Sequence, residues 1–159
     1  MQAADNLIKE FCQSIGMNPL GLDDENQRSL SFDDKLIVTF IGDQDDSVTA
    51  LCFIGELKKD ADMRIFLEQN FMPDAHGGAR FSLEPKSDRI VMACRWNALR
   101  IDLASFSKDL ETFINSGMRA QEFLDKGGVI DKPAASANAE VGTAPAANES
   151  TLAAYQNML

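Results

Sequence analysis

The feature that most constrains the fold is a stretch at residues 28–57 that is dense in β-branched and aromatic side chains. It divides into three short runs, at residues 29–32, 36–41 and 48–57. The residues between the runs, Asp-Asp-Lys and Gly-Asp-Gln-Asp-Asp, are typical of turns. This arrangement predicts three consecutive strands of an antiparallel meander.

The second and third runs are apolar on both faces of the predicted strands. In the second run, Leu36 and Val38 lie on one face, whereas Ile37 and Ile41 lie on the other. A sheet built from such strands needs cover on both sides. In a chain with few helices part of this surface stays exposed, and each large side chain then forgoes about 1.5–3 kcal/mol of burial. A second copy or a bound partner would cover the remainder.

Helical and strand patterns surround this stretch. They predict helices at residues 3–17, 61–71 and 103–126, and a second hairpin with strands at residues 79–84 and 89–95. Residues 115–117, Asn-Ser-Gly, mark a candidate bend in the last helix. The predicted fold class is α+β, in the order α-β-β-β-α-β-β-α, with a twisted, mainly antiparallel sheet flanked by helices.

The composition changes after residue 126, which divides the chain into a domain at residues 1–126 and a tail at residues 127–159. The tail is rich in Ala and Pro and is expected to be largely disordered. Its last ten residues carry four apolar side chains, Leu152, Tyr155, Met158 and Leu159. They favour a short terminal helix, which would be marginal unless it docked on something.

Charge and cysteine content limit the classes of partner and the compartment. The formal net charge is −10, from 25 acidic and 15 basic residues, which is the wrong sign for nucleic acid or an anionic membrane. The 3 cysteines lie in apolar runs and predict buried free thiols in a reducing cytosol. Neither a signal peptide nor a run of 18 apolar residues is evident, so no membrane insertion is expected.

No motif in the chain predicts catalysis. His76 is the only histidine and lies in a predicted loop at residues 72–78, where we expect it to be solvated. Residues 43–46 begin like a calcium loop, but Val48 replaces the turn glycine and Ile54 replaces the bidentate Glu. We therefore predict no catalytic residue, no metal site and no cofactor, and a protein that is not an enzyme.

The order of elements in a small acidic chain resembles the class I chaperones of bacterial type III secretion, the Tir chaperone-like effector chaperones. The segments that carry the resemblance are LIKEFCQSIGM (7–17), SLSFDDKLIVTFIG (29–42), TALCFIGEL (49–57), MRIFLEQNF (63–71) and SFSKDLETFINSG (105–117). The resemblance covers residues 7–124.

The resemblance implies a homodimer in the bacterial cytoplasm that serves virulence by binding the N-terminal region of a secreted effector. Hydrophobic grooves and β-strand addition would hold that region non-globular and competent for secretion, and the secretion-system ATPase is a further candidate partner. The implied effector-binding residues are Leu7, Phe11, Leu30, Phe32, Ile37, Ile41, Leu51 and Phe53. The implied dimer interface contains Ile65, Phe66, Phe71 and Phe81.

One observation and two alternatives stand beside this function. Aromatic residues at strand or helix spacing more often pack in a core than in an interface, which applies to Phe32, Phe53, Phe66 and Phe81. A small α+β enzyme or metal-binding protein that uses the many acidic residues is an alternative, and an enclosed polar pocket would favour it. An adaptor that binds folded partners is a third possibility.

Overall fold

In the computed structural model the structure describes residues 2–58 and 60–127. The elements are α1 (Gln2–Ser14), β1 (Gln27–Phe32), β2 (Leu36–Gly42), β3 (Ser47–Glu56), α2 (Asp60–Gln69), β4 (Arg80–Leu83), β5 (Arg89–Asn97) and α3 (Leu103–Asp125). The predicted α+β class and the predicted order of elements are confirmed. The predicted terminal helix of the tail lies outside the described residues.

The five strands form one antiparallel sheet in the order β1-β2-β3-β5-β4. The predicted meander is its first half: Leu30 of β1 pairs with Val38 of β2, and Val38 pairs with Cys52 of β3. β5 then pairs along almost all of β3, and β4 adds to the far side of β5. β1 and β4 are therefore the two edges of the sheet.

The hydrophobic core lies between one face of the sheet and the helices. Leu36, Val38 and Phe40 project from β2 into this core, and none of them is exposed to solvent. Trp96 of β5 meets Phe106 of α3 edge to face, with ring centroids 5.2 Å apart. Trp96 is thus a packing residue, and α3 is the central helix of the core.

α3 runs without interruption across residues 115–117, where the sequence marked a candidate bend. Close packing against the sheet explains why Gly117 is present in it. A Cβ atom at Gly117 would lie 2.9 Å from Leu36 Cδ2 and 3.3 Å from Met92 Cε. The missing side chain therefore lets the helix approach the sheet closely. In this helix the glycine serves packing rather than a break.

Candidate binding surface

The second face of the sheet carries an apolar surface that no described helix covers. Ile37 is 61% exposed, Ile41 is 36% exposed and Phe53 is 38% exposed, although all three belong to central strands. Leu51 and Val91 are half-buried beside them. We call these five residues the open face. The predicted cover on both sides of the sheet is present on one side only within the described residues.

Strand register makes the open face continuous across β2, β3 and β5. Leu51 lies opposite both Thr39 of β2 and Ala93 of β5. Phe53 lies opposite Val91, and a bulge follows it before Gly55. The result is an apolar strip that crosses three neighbouring strands.

Basic side chains border this strip. The guanidinium carbon of Arg89 lies 4.4 Å from the centroid of the Phe53 ring, a cation–π contact. Arg95, on the same face of β5, forms ion pairs with Asp43 at 3.2 Å and with Asp45 at 3.0 Å. The open face is therefore apolar in its middle and charged at its β5 margin.

The two sheet edges differ in their capacity to accept another strand. At the β4 edge, the Asn70 side chain accepts a hydrogen bond from the Phe81 N–H at 2.7 Å and donates one to the Phe81 carbonyl at 2.9 Å. Asn70 thereby takes the place of a neighbouring strand at that residue. At the start of β1, Asp23 bonds both backbone groups of Gln27, donating its N–H to the Gln27 carbonyl at 2.9 Å and accepting from the Gln27 N–H at 3.0 Å. The rest of β1 has no second strand partner among the described residues, so it is the edge that offers backbone groups for strand addition.

The eight residues implied to bind an effector divide into three groups by burial. Ile37, Ile41 and Phe53 are exposed, and Phe32 and Leu51 are half-buried. The remaining three, Leu7, Phe11 and Leu30, are buried in the core of the single chain. Contact with an effector stays a prediction for all eight, and the structure brings the first two groups to an accessible surface.

A second exposed apolar group lies after α1 and was not among the predicted site residues. It consists of Ile15, Met17 and Leu20. α1 ends at Ser14, and Gly16 adopts a left-handed conformation with φ 76°, so these side chains leave the buried stripe of the helix. The helix was predicted to extend to residue 17; Gly16 and Asn18-Pro19 are the sequence signal for its earlier end.

The residues implied at a dimer interface are also split by burial. Phe66 and Phe81 are 0% and 2% exposed, and their ring centroids are 4.9 Å apart. Their contact packs α2 against β4. Phe71 is 86% exposed and Ile65 is half-buried. Leu67 of α2 and Leu83 of β4, which were not predicted, are also exposed. Contact with a second copy stays a prediction for the four original residues.

The expectation that His76 is a solvated loop residue is wrong. Residues Pro73–His76 form a short 3₁₀ turn that brings the imidazole into the protein, where Nδ1 lies 3.2 Å from Ser116 Oγ of α3. The ring also meets Phe81 edge to face. Burial, with a smaller contribution from the charge of Arg119, holds the pKa of His76 below its ordinary value. His76 is thus a neutral packing residue.

The cysteines are free and buried, as predicted. Cys94 Sγ donates a hydrogen bond to the Gly77 carbonyl at 3.2 Å. Burial raises the pKa of Cys94 to about 11 and that of Cys52 to about 12. Both thiols are therefore protonated at neutral pH, which makes them poor nucleophiles.

The acidic turns are used for local hydrogen bonds. An Asp46 carboxylate oxygen accepts a hydrogen bond from the Ala3 N–H at 2.8 Å, and Asp45 accepts one from the Ser47 N–H at 3.2 Å. Among residues 2–58 and 60–127, no group of three or more His, Cys, Asp or Glu side chains is placed to hold a metal ion. No described helix is long and apolar enough to cross a membrane.

Comparison with known families decides what kind of protein carries this surface. Residues 6–120 match the profile of the Tir chaperone protein (CesT) family. The chain belongs to the CesT family. The resemblance to class I type III secretion chaperones is thereby confirmed, and no finding favours the alternative of a small enzyme. No curated protein sequence matches the chain closely enough to add to this assignment.

Solved structures share the CesT fold with this chain at low sequence identity. The ExsC–ExsE complex matches with a TM-score of 0.65 and 20% identity, over 85% of this chain and 97% of the other. The Yersinia pestis type III secretion chaperone SycH, in complex with a fragment of YscM2, matches with a TM-score of 0.62 and 15% identity, over 72% of this chain and 97% of the other. The ExoT–SpcS complex from Pseudomonas aeruginosa matches with a TM-score of 0.60 and 17% identity, over 73% of this chain and 95% of the other.

Proposed function

We propose that this CesT-family chain binds the N-terminal region of a secreted effector and holds it extended and non-globular until secretion. The observation that carries the proposal is the open face, where Ile37, Ile41 and Phe53 are exposed beside the free β1 edge. The similar complexes include a type III secretion chaperone bound to a protein fragment, which supports the same use of the fold here.

The geometry suits an extended client segment. Strand addition at β1 would satisfy the client's backbone hydrogen bonds, because β1 lacks a second neighbour among the described residues. Side chains on one side of that strand, or the apolar face of a client helix, would cover the open face. Each large client side chain buried there contributes about 1.5–3 kcal/mol, which offsets the roughly 1–2 kcal/mol lost for each backbone residue that becomes ordered.

We also propose a homodimer formed through α2 and β4. Phe71 is exposed just after α2, and each of these two elements carries a further exposed apolar side chain, Leu67 in α2 and Leu83 in β4. The buried pair Phe66 and Phe81 supports this surface from beneath by fixing α2 against the sheet. A surface this apolar on a chain with a net charge of −10 is best covered by a second copy that presents the same residues.

The partners and compartment proposed for the chain follow from the family. It acts in the bacterial cytoplasm, without catalysis of its own, and delivers its client to the secretion system, where the secretion ATPase is the candidate receiver. Buried, reduced cysteines are compatible with that compartment. The many acidic residues give the chaperone a surface that does not compete for nucleic acid.

Co-expression tests the proposal. The chain is produced with the N-terminal segments of proteins secreted by the same bacterium and, separately, with folded C-terminal domains of the same proteins. We expect at least one N-terminal segment to co-purify through size exclusion, and no folded domain to do so. Capture of folded domains alone would instead identify an adaptor, and capture of neither would refute the proposal.

A further inference from the structure

The last helix ends beside the end of β3, on the core side of the sheet. The Gln121 side-chain amide donates a hydrogen bond to the Phe53 carbonyl at 3.1 Å. Leu124 packs so closely on Gly55 that a Cβ atom there would lie 2.8 Å from Leu124 Cδ1. The described part of the chain stops at Gly127, three residues later. The tail therefore begins at the end of β3, across the sheet from the open face.

The sequence of the tail has an apolar segment at its far end. Between residues 131 and 151 the only large apolar side chain apart from the prolines is Val141. Residues 152–159, LAAYQNML, then place Leu152, Tyr155 and Leu159 at the spacing of one helical face and contain no charged side chain. In a chain with a net charge of −10, an uncharged segment approaches the acidic domain without like-charge repulsion.

The intervening sequence is long enough for this segment to reach the whole open face. Residues 128–151 extend to at most about 80 Å, and a random coil of that length spans about 25–30 Å. β3, the longest strand, has 10 residues and is therefore about 33 Å long. The length of the tail thus allows residues 152–159 to pass the end of β3 and lie on Ile37, Ile41 and Phe53.

We infer that residues 152–159 dock on the open face of their own chain and occupy it until an effector displaces them. A tether of this length gives the segment an effective concentration of about 1 mM, so an intrinsically weak contact suffices. The segment would shield the exposed isoleucines of the empty chaperone. Its role as a competitor rests on the proposed function, whereas the docking itself does not.

Competition by the tail sets a measurable cost for the client. If the population of the docked state exceeds that of the open state by a factor of roughly 2–9, the apparent dissociation constant of the client rises by roughly 3- to 10-fold. Removing the apolar side chains of the segment should therefore tighten client binding by that factor. Weakly binding, incorrect clients would then fail to displace the tail from the open face.

Paramagnetic labelling of the full-length chain tests the docking without any client. The native cysteines are buried, so a nitroxide attached to a Ser150→Cys variant reports from the tail alone. We expect the methyl NMR signals of Ile37 and Ile41 to lose intensity, while those of Ile8, in α1 within the core, change little. Equal broadening of the signals of all three residues, or none, would overturn the inference.

Two matched variants and a mixing experiment complete the test. Tyr155→Asp in the labelled chain should abolish the selective broadening, and Thr143→Asp, which adds the same charge within the linker, should preserve it. Spin-labelled chain mixed with isotope-labelled chain should give no selective broadening; if it does, the segment docks on a second copy and the inference fails. An effector segment that binds should restore the Ile37 and Ile41 signals. Failure of every effector segment to bind would refute the proposed function and leave the docking result standing.

Discussion

Replacing Ile37 by Asp separates the binding surface from the fold. The side chain is 61% exposed on the open face, so the folded chain loses little packing, and we expect the unfolding free energy to fall by at most about 1 kcal/mol. A client that covers this side chain gains about 1–2 kcal/mol from it. Burial of an unpaired carboxylate in its place adds a penalty of about 1–2 kcal/mol.

The lost burial and the carboxylate penalty together weaken client binding by about 2–4 kcal/mol. The dissociation constant of the client should therefore rise roughly 30- to 1000-fold. Titration calorimetry with the co-purified effector segment measures this change. Fluorescence of Trp96, the only tryptophan, monitors unfolding in parallel, because its ring is buried against Phe106.

Leu99→Asp is the matched control. Leu99 is 70% exposed but lies in the connection between β5 and α3, away from the open face. We expect this variant to bind the effector segment like the unmodified chain. Unchanged affinity in the Ile37 variant, or an equal loss in both variants, would refute the assignment of the open face.

Further predictions concern the dimer, the core and pH. Phe71→Asp should convert the dimer to a folded monomer in light scattering, whereas Phe66→Ala should lower the unfolding free energy by about 3–5 kcal/mol, since that ring is fully buried. Gly117→Val should cost about 1–3 kcal/mol in urea unfolding because the added atoms collide with Leu36; unchanged stability would disprove that close contact. Since burial lowers the pKa of His76, the unfolded chain binds the extra proton first, and stability should fall as pH drops below about 6.5 and level off below the folded-state pKa. His76→Gln should reduce this slope, and an unaltered pH profile would contradict it.

The central strands were predictable from the sequence because β-branched residues alternate with turn formers over a short span. Which face the helices would cover was not predictable, since Val38 and Ile37 are equally apolar neighbours. The structure resolves the choice through α3, where Gly117 allows close packing on the face that contains Val38. The exposed residues of the other face could be recognised only after that packing was known.

The ends of helices set the second limit of prediction. The predicted helix at residues 61–71 contains both Phe66 and Phe71, but α2 ends at Gln69, so Phe66 enters the core and Phe71 projects into solvent. His76 shows the opposite error, because a loop sequence with glycines folded into a tight turn against Ser116. In both cases the decisive contact is with residues distant in sequence, which local patterns do not encode.

The most direct test of the account is the mass of the purified chain by light scattering, alone and with an effector N-terminal segment. Twice the chain mass of 17.4 kDa gives a dimer of roughly 35 kDa. We predict such a dimer, and a complex that retains one segment per two chains. A monomer that retains none of the segments would contradict the account.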